Sequence, residues 1–150
     1  MSAHSHVHLH VAGSKTTQPV PVERLPDGTF RAAATPGMVL GLAAGDVFRL
    51  VDEASGEFEV IVRGGNVGLQ IFCSGAIEPA ATWLTPRVEA LGGWWDGQIS
   101  RAVVFTVPFG SGFDPIESLM TALCAEFQGI EWLYANVYDE NDLPLNWWEH

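Results

Sequence analysis

Residues 35–65 read TPGMVLGLAAGDVFRLVDEASGEFEVIVRGG, and the reading of the whole chain turns on them. At the centre is GLAAGDVF, residues 41–48. A turn of small residues delivers Asp46, and the chain then extends at once through Val47, Phe48, Leu50 and Val51. Branched and aromatic side chains in such a run favour a strand. Asp52-Glu53-Ala54-Ser55-Gly56 reverses the chain, opened by an aspartate and closed by a glycine. Residues 58–62 form the returning strand, and Arg63-Gly64-Gly65-Asn66 turns the chain again.

Upstream, residues 4–11 read HSHVHLHV. In a strand, side chains alternate between faces, so His4, His6, His8 and His10 share one face while Val7, Leu9 and Val11 take the core face. Residues 19–25, PVPVERL, alternate in the same way but hold two prolines. Proline has no amide to donate, which predicts an edge strand or an extended segment. Pro26-Asp27-Gly28 is a tight turn, and a short strand led by Phe30 follows. Many short strands joined by Gly, Pro and Asp turns predict a small β-barrel or curled sheet over residues 1–65.

Downstream, residues 66–73 form a strand with Val67, Leu69 and Ile71 on one face. Residues 74–91 are helical in pattern but interrupted by Pro79 and Pro86. Thr85 followed by Pro86 has the form of a second helix start, giving two short helices or one kinked helix. Residues 94–97 are a turn or short strand, and residues 99–107 are a buried strand. Asp114, Pro115 and Glu117 open the clearest helix in a capping-box arrangement. Its stripe is Ile116, Leu119, Met120, Leu123 and Phe127, and Gly129 closes it. Residues 131–139 are a last strand. The order strand, helix, strands, helix, strand is ferredoxin-like, and the fold class is α+β. In this reading Trp132, Tyr134 and Tyr138 stand on the open face of the sheet. Three units follow: a short-stranded β subdomain (1–65), a ferredoxin-like subdomain (66–142), and an acidic, tryptophan-bearing tail (143–150).

The opening HVHLHV, Pro21-Val22-Glu23, Gly28-Thr29-Phe30, GLAAGDVF and Leu91-Gly92-Gly93 together resemble a bacterial family, domain of unknown function 4265. The resemblance implies a small soluble bacterial protein and brings no catalytic residues with it. Neither the four-histidine face nor the Trp147-Trp148 pair is a feature the resemblance accounts for.

The 150 residues are 47% hydrophobic and 17% charged, enough apolar content for a sizeable core in one domain or two tightly joined subdomains. There is no apolar run of about 18 residues, and no signal-peptide pattern at the start. Cys73 and Cys124 read as two isolated, buried thiols, and the expected location is the cytoplasm. Net charge is −11, with Lys15 the single lysine. No Lys or Arg follows Arg101, while eight acids do, from Asp114 to Glu149. That half has no cations with which to displace counterions, which argues against nucleic acid, and it would be repelled by an anionic membrane. It would attract a basic partner. There is no glycine-rich phosphate loop and no CxxC pair.

These features favour a non-catalytic acidic protein that binds and inhibits a basic protein partner, such as a toxin, in the manner of an immunity protein or antitoxin. The expected contact residues are Trp132, Tyr134, Tyr138, Asp139, Glu140, Asp142, Trp147 and Trp148: acids to steer, aromatics to be buried. A second copy of the chain is another partner such a surface would accommodate. Two other classes stay open. The first is a metal-binding protein or metal enzyme holding zinc or another transition metal on His4, His6, His8 and His10, with Glu23 as a further ligand. The second is a small-ligand module on the aromatic open face. On the favoured reading no cofactor is needed.

Overall fold

Five antiparallel strands follow one another as a meander: β1 (His4–His10), β2 (Thr17–Arg24), β3 (Phe30–Ala32), β4 (Val47–Asp52) and β5 (Glu57–Val62). The computed structural model describes residues 4–139 and 141–149. Alternation sets the inner face: Val7, Leu9, Val20, Val22, Phe30, Ala32 and Phe48 form one apolar cluster. Phe48 is its centre, 5.6 Å from the ring of Phe30 and 5.7 Å from that of Phe58. The turn between β4 and β5 uses the residues expected of it. Asp52 accepts the amide of Ala54 on its side chain and that of Gly56 on its carbonyl, and Gly56 takes φ +79°.

The sheet curls but does not close into a barrel. β1 and β5 share no ladder, and β3 offers only three residues, so the edges meet where the His10 amide donates to the Gly56 carbonyl at 3.0 Å. β2 is an interior strand rather than the expected edge. Its prolines fit because its ladder to β3 covers only Val22–Arg24, and Pro21 needs only its carbonyl there, accepting the Ala33 amide.

The second sheet is built from β6 (Asn66–Cys73), α1 (Glu78–Ala90), β7 (Trp94–Ile99), β8 (Ala102–Pro108), α2 (Asp114–Glu126) and β9 (Ile130–Tyr134). Its order is β7-β8-β6-β9, antiparallel throughout. Ala80, Leu84 and Val88 of α1 and Ile116, Met120 and Leu123 of α2 pack onto Leu69, Ile71, Val103 and Phe105, so both helices cover one face. Two antiparallel sheets with two helices make an α+β protein. No helix among the described residues is long and apolar enough to cross a membrane.

Several local expectations change. Residues 78–90 form a single helix through Pro86. Thr85 does not cap a second one; its hydroxyl donates to the Ala81 carbonyl at 2.7 Å. Asp114 is already helical and makes no side-chain cap, so no capping box forms; Glu117 instead accepts the Tyr134 hydroxyl at 2.9 Å. Of the turn or short strand expected at residues 94–97 the strand is found: it runs to Ile99 and pairs with β8 as a hairpin. Cys124 is exposed, because Leu123 beside it takes the inward position on α2.

The two sheets are joined through residues 35–46 and the turn at residues 63–65. Asp46 is fully buried. One carboxylate oxygen accepts the Gly64 amide at 2.8 Å; the other accepts the Ala43 amide at 3.0 Å and pairs with Arg63 at 3.1 Å. Arg63 also donates to the Gly41 carbonyl, and Asn66 donates to the Ala44 carbonyl. Burial pushes the Asp46 carboxyl above its usual range, against the pull of the Gly64 and Ala43 amides and of Arg63. Gly64 is required for contact: a methyl there would lie 2.5 Å from the Gly45 carbonyl carbon. The rest of the loop covers the helix-free face of the second sheet. Gln70, buried, donates to the carbonyls of Pro36 and Val39, and the hydroxyls of Thr35 and Thr106 lie 2.7 Å apart.

Asp46→Ala strips a partly buried cation, Arg63, and two amides of their acceptor at once, so unfolding free energy is expected to fall by about 3 kcal/mol. Urea denaturation checks this: the midpoint drops while the slope stays as in the parent protein.

Candidate functional site

β9 is an edge strand, and the residues expected to meet a partner lie on it or just after it. They are not on an open face. Trp132 sits across from Ile71 and Tyr134 across from Leu69, so both point to the helix side, and Leu133 points away. Alternation put Trp132 and Tyr134 on one face without saying which face the helices cover, and the strand expected over residues 131–139 ends at Tyr134. Beyond it, buried Asn136 substitutes side chain for ladder: its Oδ1 accepts the Gly68 amide at 3.0 Å and its Nδ2 donates to the Asn66 carbonyl at 2.8 Å.

The tail then turns back. Asp139 accepts the amides of Asn141 and Leu143 on its carboxylate, Asp142 takes φ +60°, and the Leu145 amide donates to the Val137 carbonyl. Trp147 donates its indole N–H to the Asn136 carbonyl at 2.8 Å and lies 5.8 Å from Phe109; Trp148 lies 5.1 Å from Phe113. The tryptophan pair is therefore folded into an aromatic cluster rather than held out for a partner. Ring contacts run from Trp148 through Phe113 and Tyr134 to Tyr138. Burial, with the Glu117 carboxylate beside it, raises the Tyr134 phenol, which stays a donor. Tyr138 ends the series half in solvent, 47% exposed. Glu140 lies outside the described residues.

Two adjoining cavities open along this edge, about 620 and 410 Å3, and share Leu40, Tyr138 and Asp139 as walls. The smaller is lined further by Trp132, Leu133, Tyr134 and Asp142. The larger runs onto the first sheet, past Glu57, Phe58, Val60, Arg63 and His10. Together they make one groove across both sheets, aromatic at one end and acidic along its length. Arg63 is a lining cation, but its guanidinium is held by Asp46 and the Gly41 carbonyl. Five of the eight expected residues, Trp132, Tyr134, Tyr138, Asp139 and Asp142, meet here. Leu40 and His10 carried no sequence signal for it, since only the junction brings residues 10, 40 and 138 to one place.

The histidine strand is placed as alternation requires: His6 and His8 are exposed, and His10 is half-buried on the groove wall. His4 pairs in register with Glu23, but the Glu23 carboxylate is bound to Arg31 at 2.6 Å; the His4 side chain lies outside the described residues. Among the described residues, no three side chains of His, Cys, Asp or Glu converge as a metal site would require.

A family model described as Domain of unknown function (DUF4265) matches residues 19–132. No curated protein sequence matches the chain. Among solved structures, a hypothetical protein from Neisseria gonorrhoeae is similar, with TM-score 0.67 and 15% identity over 90% of this chain and 94% of that one. At that identity the likeness speaks to the fold.

Trp147→Ala removes one hydrogen bond and half-buried aromatic packing. It is expected to cost about 2 kcal/mol and lower Tm by roughly 4–8 °C, read by thermal unfolding.

Proposed function

This chain belongs to the family described as Domain of unknown function (DUF4265), and from that premise we propose that it is a non-catalytic acidic protein whose groove at the edge of β9 receives a basic protein partner, inhibiting it as an immunity protein or antitoxin does. The observation that carries the reading is the convergence of Trp132, Tyr134, Tyr138, Asp139 and Asp142 on one groove. The physical support is twofold. A net charge of −11, with no Lys or Arg after Arg101, steers a basic chain toward this half. Exposed Leu40, Leu133 and Tyr138 offer apolar surface to bury once it arrives. Trp147 and Trp148 act from within the fold, holding Phe113 and through it Tyr134. The order β7-β8-β6-β9 with its two crossover helices supports a ferredoxin-like second half.

The test is capture from the source organism's lysate with the wild type and with Tyr138→Ala/Asp142→Lys, two exposed changes away from the core. The expected outcome is a basic protein retained at low salt, released as ionic strength rises, and held at least tenfold more weakly by the variant at unchanged Tm. A partner retained equally by both proteins, or no basic partner, overturns the reading.

A further inference from the structure

A separate cavity of about 360 Å3 opens between the loop at residues 34–38 and the β7–β8 hairpin. Its lining is mostly apolar, including Pro19, Pro36, Phe72 and Val104, and two exposed residues, Met38 (57%) and Ile99 (68%), also line it. Large apolar side chains left this exposed beside a concave, apolar site are the pattern of a ligand pocket. Asp96 and Arg101 are its charged lining residues.

Asp96 is held rigidly. One oxygen accepts the Trp94 indole N–H at 2.9 Å; the other accepts the Thr106 hydroxyl, itself 2.7 Å from the Thr35 hydroxyl. Burial pushes its carboxyl up to about 6, against the pull of the Thr106 and Trp94 donors. A carboxylate so desolvated gains from a cation placed beside it. Arg101 is the opposite case. It stands exposed in the turn between β7 and β8, and among the described residues it pairs with no acid. A plain amine would meet Asp96 favourably and Arg101 unfavourably; a plain carboxylate would do the reverse. A molecule carrying both charges on a small apolar body satisfies both.

We infer that this cavity binds a free α-amino acid with an apolar side chain, its ammonium on Asp96, its carboxylate on Arg101 and its side chain against Pro36 and Phe72. The site is distinct from the groove at β9 and stands whether or not a protein partner is found there.

Calorimetric titration tests it with leucine, methionine and phenylalanine, beside 3-methylbutylamine and 4-methylpentanoate, which each keep one of leucine's charges. At least one amino acid is expected to bind the wild type with Kd below about 1 mM, and the single-charge analogues at least tenfold more weakly. Arg101→Gln and Asp96→Asn are each expected to lose at least tenfold. Arg101 is exposed, so its variant should keep the parental Tm, and loss of binding there reads the site and not the fold. Affinity should fall as pH is lowered through about 6, because Asp96 takes up a proton while Trp94, Thr106, Thr35 and Arg101 around it do not change state. No binding by any of the three amino acids overturns the inference; so does binding that Arg101→Gln leaves unchanged.

Discussion

One buried carboxylate organises the molecule. Asp46 ends the small-residue turn, begins the approach to β4, and accepts hydrogen bonds from both sides of the junction between the sheets: Ala43 within its own loop, Gly64 and Arg63 across it. Burying a charge is costly unless it is paired and its lone pairs are occupied. Here both conditions are met, so the position of the 35–46 loop relative to the second sheet is set by what Asp46 demands. The small residues around it have the same cause. Only glycine at position 64 lets its backbone lie against that of Gly45, and only then does its amide reach the carboxylate.

With the loop fixed, the second sheet is covered on both faces. Helices α1 and α2 take one; residues 35–39 take part of the other and are tied down by the buried amide of Gln70 and the hydroxyl pair Thr35–Thr106. No buried side-chain polar atom among the described residues lacks a partner. Such a network specifies one arrangement, because shifting the loop would strand several polar groups together. Asn136 plays a similar part at the other edge, continuing the pairing of β9 with β6 by side chain after the strand has ended, while its carbonyl receives Trp147.

Both cavities of functional interest adjoin this junction. The groove at β9 runs from the first sheet across Leu40 to the aromatic edge; the pocket at Asp96 lies between the 34–38 loop and the β7–β8 hairpin. Neither belongs to one sheet alone. Their chemistry differs accordingly: one is long, open and acidic, suited to a chain; the other is small, mostly apolar and balanced in charge, suited to a single molecule.

Local periodicity was enough to determine the strands 4–10, 47–52, 57–62 and 66–73, the helix after residue 113, and the turn at Asp52–Gly56, because each is set by alternation, by a 3-4 stripe or by turn chemistry that neighbours in sequence supply. The acidity of the C-terminal half was equally legible, since charge is additive. What the tertiary structure decided was every question of facing. Trp132 and Tyr134 turn to the helices because register with Leu69 and Ile71 puts them there, and alternation by itself names two faces without saying which is covered. Trp147 and Trp148 fold inward because Phe109, Phe113 and the Asn136 carbonyl wait for them. Asp96 gave no signal at all: its environment is made by Thr106, Trp94 and a loop sixty residues earlier in the chain, and long-range burial of that kind is a property of the packed molecule alone.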